Sequence, residues 1–342
     1  MDPAMRFDTG LAARTLAEVP AAARAAEEMG FDALWTAETG HDPYLPIALA
    51  AEHTSRVELG TSIAVAFPRS PLIHAMTAWD LQALSGGRFI LGLGTQVKGH
   101  NERRFGVKWE SPGPKLREMI QMIRAVWDCF QNGTRPRFEG KFYNFTLMTP
   151  FFHGGPIEHP KIPIYIAGVN EYMCRLAGEL CEGFHVHPFH SVRYVKEVVR
   201  PQVEVGAQKA GRSARDCRLA STVFVIVGDG DEEREKMRTL VRQQLSFYAS
   251  TPAYLPVLAL HGWGDVGPEL TARSKRGDWA GMTELVSDEM LDVFAVTGTW
   301  SDIGAKVRAR YEGVLDRIGF YFPFRADDLA QRWRDVLASI RR

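Results

Sequence analysis

Apolar positions in this chain follow two alternating spacings from one end to the other. Short apolar, β-branched-rich runs read as buried strands. Longer stretches with apolar residues three and four apart read as amphipathic helices. Strands are predicted at residues 6–12, 31–35, 57–67, 89–93, 162–167, 183–186, 218–227 and 318–322. Helices are predicted at 15–29, 46–54, 75–84, 114–130, 171–180, 192–210, 231–248 and 326–340. The punctuation agrees. Gly30 closes the first helix, Pro71 suits a first turn, and Gly86–Gly87 stops the third helix. The acidic run DGDEERE suits the helix start near Asp231. Residues 137–145 read as a hairpin with Glu139 and Gly140 in its turn.

Eight strands each followed by a helix are the pattern of an α/β protein of the (β/α)8 barrel type. Residues 250–300 fit no βα unit and read as a helical insertion over the barrel mouth, near the C-terminal third. No linker interrupts the pattern, so residues 1–342 are expected to form a single domain. A doubly wound open sheet is the alternative, weakened because no GxGxxG follows the first strand. Met5–Arg6 reads as an alternative start, with residues 1–4 as an extension.

Composition narrows the class of protein. The 342 residues are 45% hydrophobic and 24% charged, with 41 basic and 41 acidic side chains. A neutral chain without a basic stripe argues against nucleic acid or a membrane surface as partner. Cys129, Cys174, Cys181 and Cys217 form no CxxC pair, which implies reduced, buried thiols. No signal peptide or long apolar run is present, so a cytoplasmic location is expected.

Chemistry is expected where polar residues follow strands, because a parallel barrel holds its ligands at the strands' carboxyl ends. After strand two come Glu38, Thr39, His41 and Asp42, a carboxylate and an imidazole able to act as acid and base. The plainer alternative is an Asp42–Pro43 turn with Glu38 paired to an arginine. Strand three carries the small residues Gly60, Thr61, Ser62 and Ala64 around Ile63, which allow a bulge or a flat ligand. Strand four runs as LGLGTQ into a polar loop through Thr95 and Gln96. Strand five enters a helix through Ala167, Gly168 and Val169, where free amides attract phosphate. After strand six, His185, His187 and His190 raise a metal-dependent hydrolase, but no carboxylate lies among them. His187 reads better as a hydrogen-bond partner of a cofactor, and no metal site is expected.

Taken together, the segments FDTGL, GFDALW, RVELGTS, SGGRFILGLGT and PIYIAG resemble the bacterial luciferase-like family, in its branch using the deazaflavin coenzyme F420. The likeness spans nearly the whole chain. It implies a (β/α)8 barrel with an insertion and a cis peptide between Ser62 and Ile63, behind the deazaflavin ring. It implies that Ser62, Ile63, Ala64, Thr95, Gln96 and His187 border the cofactor and that the Ala167–Gly168–Val169 amides meet its phosphate. Glu38 matches the family's acidic position, whereas Thr39 stands where some relatives have histidine, so His41 is the expected substitute. The activity implied is hydride transfer between F420 and a small organic substrate, with Glu38 or His41 managing a proton. The alternative is an FMN-dependent monooxygenase fed by a reductase partner. The insertion, through Tyr254, Trp263 and Trp279, is expected to line the substrate side, and a homodimer is expected. A relative that binds a ligand without turnover is the non-enzyme alternative.

Overall fold

The computed structural model describes residues 5–326 and 329–341; the predicted extension at 1–4 lies outside them. Eight strands are arranged as β1 (Arg6–Gly10), β2 (Ala33–Thr36), β3 (Glu58–Thr61), β4 (Phe89–Gly94), β5 (Ile164–Gly168), β6 (Gly183–Val186), β7 (Arg218–Val227) and β8 (Arg317–Phe320). Each pairs in parallel with its neighbours in chain order, and β8 returns to β1 through Arg6↔Arg317 and Phe7↔Ile318. The sheet is therefore a closed barrel, and the open-sheet alternative is excluded. Closure leaves these eight strands without a free edge.

Local chemistry explains the helix boundaries. Ser70 caps Pro71–Leu84 by accepting the Ile73 amide, and Gly30 ends Val19–Met29 at φ 99°. The acidic residues Asp231, Glu232 and Glu233 open Asp231–Ala249. Pro112–Asn132 buries Leu116, Met119, Ile120, Ile123, Val126 and Trp127, the face its spacing predicts.

Several boundaries differ from expectation. The third strand is broken after Thr61 and resumes only at Ala64–Val65, and the Ser62–Ile63 peptide between the two pieces is cis, as the resemblance implies. The hairpin turn spans Gly140 to Tyr143, whereas Glu139 pairs with Asn144. Glu118 fixes that turn by accepting the amides of Lys141 and Phe142. The insertion holds the helices Leu255–Ala259, Val266–Arg276, Trp279–Glu284 and Asp288–Phe294, but ends in a strand, Ala295–Gly298. That strand extends the sheet beside the outer half of β7, which is long enough to pair on both levels.

The barrel interior is polar at its base. Arg317, 1% exposed, donates to both carboxylate oxygens of Asp8 (2.8 and 3.0 Å) and to Glu58 (2.5 Å). Trp35 adds an indole hydrogen bond to Asp8 (2.9 Å) and lies 5.3 Å from the guanidinium. Burial opposes ionisation of Glu58, but Arg317 and Arg6 hold it below the usual carboxylate range. Above this layer Trp35, Tyr165 and His185 fill the barrel. Gly92 has no room for a side chain there, since a Cβ would overlap the Thr61 carbonyl. All four cysteines are free and buried, and among the described residues no helix is long and apolar enough to cross a membrane.

The buried charges predict a measurable asymmetry. Asp8→Ala removes two of the three carboxylate contacts of Arg317, leaving it only Glu58, and is expected to lower unfolding free energy by about 3 kcal/mol. The double variant Asp8→Leu/Arg317→Met is expected to recover most of that loss. Urea denaturation of the two variants checks this; equal losses would show that the pair is not coupled.

Candidate active site

The mouth of the barrel collects the strand ends, and the segment 62–66 is its most tightly held part. Ser62 donates its amide to Thr36 (2.6 Å), Ile63 accepts the Glu38 amide (3.1 Å), and Ala66 donates to Gly94 (2.9 Å). The Glu38 carboxylate accepts the Val65 amide (2.7 Å) and a two-pronged contact from Arg69 (2.9 and 3.0 Å). Arg69 also reaches Asp42 (2.8 Å) and sits 5.4 Å over the Tyr44 ring. Beneath them His74 Nε2 donates to the Ala66 carbonyl (2.9 Å), which leaves Nδ1 to accept the Tyr44 hydroxyl (2.7 Å). Partial burial opposes ionisation of Asp42, yet the amides of Tyr44 and Leu45 and the Arg69 guanidinium hold its carboxyl below the usual range.

The plainer possibility at strand two is thus realised: Glu38 is paired with an arginine and Asp42 opens a turn. Arg69 is the residue that sequence reasoning missed, because it lies past strand three in a loop with no motif. His41 is exposed on the same loop, as is Thr39. Ser62 and Ile63 are half-buried, and Ala64 is buried behind them.

On the next strand end Thr95 and Gln96 are half-buried, with Gln96 at φ 58° and its side chain accepting the Val97 amide (3.0 Å). Buried Asn101 holds this loop by donating to the carbonyls of Thr95 (2.9 Å) and Val97 (3.1 Å). Ala167, Gly168 and Val169 are half-buried at the start of Glu171–Leu180. Asn170 caps that helix through the Met173 amide (3.0 Å), while the Glu171 and Tyr172 amides have no partner among the described residues. The space left by Gly168 is filled by Met173, so this glycine serves helix packing.

The three histidines of β6 and the loop after it separate. His185 packs in the barrel against Trp35 and Tyr165 (centroids 4.9 and 5.3 Å). His187 stacks on Tyr254 (4.3 Å) and meets Tyr248 edge-on (4.6 Å), with Nδ1 accepting the Phe189 amide (3.1 Å). His190 bonds the His187 carbonyl through Nδ1 (2.8 Å). Among the described residues no three His, Cys, Asp or Glu side chains come together to hold a metal.

The structure therefore brings the sequence-derived residues together in two groups. Glu38, Ser62, Ile63 and Ala64 share one hydrogen-bonded shelf, and Gly94 joins it to Thr95 and Gln96. Gly168, Val169 and His187 line one small apolar cavity with Tyr194 and Tyr254. Of the aromatic residues expected from the insertion, only Tyr254 reaches His187. Trp263 packs on His261 and Phe294, and Trp279 is exposed.

Comparison with known proteins adds lineage to this geometry. A family profile described as luciferase-like monooxygenase matches residues 3–317. An uncharacterized protein of Mycobacterium tuberculosis is 48% identical over 303 residues, 89% of each chain. The 5,10-methylenetetrahydromethanopterin reductase of Archaeoglobus fulgidus is 30% identical over 286 residues, 81% of each. Among solved structures, the coenzyme F420-dependent tetrahydromethanopterin reductase of Methanopyrus kandleri superposes with a TM-score of 0.77 at 21% identity, covering 98% of this chain and 97% of that one. The oxygenating constituent of 3,6-diketocamphane monooxygenase from Pseudomonas putida, in complex with FMN, gives 0.69 at 18% identity, covering 99% and 98%.

Burial pushes the pKa of His74 down to about 4, His185 to about 3, His187 to about 3 and His190 to about 4. All four are neutral in the folded chain near pH 7. Below pH about 6.5 the unfolded chain binds protons that the folded chain refuses, so stability is full above that pH and falls beneath it. The expected slope approaches about 1.4 kcal/mol per pH unit for each histidine between pH about 6 and 4. Urea midpoints measured from pH 7.5 to 4.5 check it, and His185→Phe should flatten the curve.

Proposed function

The chain belongs to the luciferase-like monooxygenase family, and from that premise we propose that it is a coenzyme F420-dependent oxidoreductase acting on a small organic substrate. The observation that carries this reading is the shelf at 62–65. Ser62 and Ile63 are half-buried there and Ala64 and Val65 buried, and the segment is tied to Thr36 and to Glu38, which Arg69 holds in turn. A segment held by hydrogen bonds in this way suits a flat ring, and the helix-start amides of Glu171 and Tyr172, which lack a partner among the described residues, suit an anionic tail.

When bound, the deazaflavin supplies hydride transfer, and the protein orients it and excludes water. In this reading Ser62, Ile63 and Ala64 support the ring, and Thr95 and Gln96 border its edge. The segment Ala167–Gly168–Val169 leads the helix amides to the phosphate, and His187 closes the opposite side. Both Glu38 oxygens are engaged, so Glu38 acts as a positioning residue, and exposed His41 handles the proton. The same reading includes a homodimer in solution.

Fluorescence titration of the protein with F420 and with FMN tests the proposal. Micromolar or tighter F420 binding with weak FMN binding is the expected result. The reverse preference would make this an FMN-dependent monooxygenase supplied by a reductase, and binding of neither would reject the reading. Arg69→Ala is expected to weaken F420 binding by at least about tenfold, because it frees Glu38 and with it the shelf.

A further inference from the structure

The backbone beyond the break in the third strand is short of neighbours. β2 ends at Thr36, and the piece Ala64–Val65 pairs with β4 alone. Main-chain groups that a flanking strand would satisfy must then find other partners. Side chains stand in for that strand. The Glu38 carboxylate accepts the Val65 amide (2.7 Å), and His74 Nε2 donates to the Ala66 carbonyl (2.9 Å).

His74 does this from the first turn of Pro71–Leu84, and Tyr44 reaches it from the first residue of Tyr44–His53. Both side chains are buried. Burial keeps the imidazole neutral, with its pKa down to about 4. A neutral ring has one N–H, which Ala66 uses, so the Tyr44 hydroxyl donates to Nδ1 (2.7 Å). The Tyr44 ring meanwhile lies 5.4 Å from the Arg69 guanidinium above it. Arg69 grips Glu38 and follows Ala66 closely in the chain. The contacts therefore close on themselves: Ala66 to His74, His74 to Tyr44, Tyr44 to Arg69, and Arg69 back along the backbone to Ala66. Moving the Ala66 carbonyl would leave a buried donor unpaired, which is costly.

We propose that Tyr44 and His74 are positioning residues of the site, which hold the 62–66 backbone and Arg69 in place and so set the affinity for a flat cofactor. The proposal rests on the cofactor reading and adds to it two buried residues that act only through Ala66 and Arg69.

Fluorescence titration with F420 and hydrogen-exchange mass spectrometry of the cofactor-free protein test it together. His74→Leu and Tyr44→Phe each break the relay and should weaken F420 binding by about fivefold to tenfold. In both, exchange is expected to rise in the peptide spanning residues 62–69 while the barrel strands keep their protection. His74→Gln, whose amide offers one donor and one acceptor, should recover most of the affinity and the protection. If His74→Leu does not fold, Tyr44→Phe, which removes a single oxygen, carries the same test. Loss of protection along the whole chain with unchanged affinity would make the pair structural only and overturn the proposal. Wild-type affinity in both His74→Leu and Tyr44→Phe would remove this inference and keep the cofactor reading, and so would a folded His74→Gln that binds no better than His74→Leu. Binding of neither F420 nor FMN by the unaltered protein would reject both. If FMN binds in place of F420, the same losses are expected with FMN, and their absence would overturn the proposal.

Discussion

Closure of the barrel depends on the charges gathered around Arg317. This side chain comes from the last strand, yet its partners Asp8, Glu58 and Trp35 come from the first three. Asp8 is 309 residues away in the chain, so the contact exists only when the sheet has joined end to end. An arginine that is 1% exposed tolerates burial only with its carboxylates in place. The same network sets the floor on which Trp35, Tyr165 and His185 stack, and thus the depth at which the mouth begins.

From that floor the mouth divides into two chemically different halves. The β2–β5 side is backbone: a shelf at 62–66, a loop held by Asn101, and a helix start with spare amides. The β6–β8 side is aromatic, with His187 and three tyrosines in mutual contact. The division follows from the topology, since consecutive strands in a parallel barrel place consecutive loops side by side.

Glu38 shows how a residue's type can be right and its role different from the simplest one. A carboxylate at a barrel rim suggests proton transfer, but this one accepts from an arginine and an amide at once. Its partner Arg69 comes from the loop beyond the broken strand, and Tyr44 and His74 brace the same segment from below. Four side chains from separate parts of the chain thereby hold one stretch of backbone.

Much of the fold was legible from the order of the residues alone. The eight strands, the helices between them and the rim positions of Glu38, Ser62, Thr95, Gly168 and His187 all follow from spacing, because a strand's polar end is a local property. The likeness to the luciferase-like family also rests on local strings such as SGGRFILGLGT. What spacing left open was pairing between distant residues. Arg69 with Glu38, Tyr248 with Tyr321, the stack of Tyr254 on His187, and the strand hidden in the insertion at Ala295–Gly298 are contacts between separate elements. No local pattern encodes them, and they exist because barrel closure and the packing of loops over its mouth bring those side chains within a few ångströms.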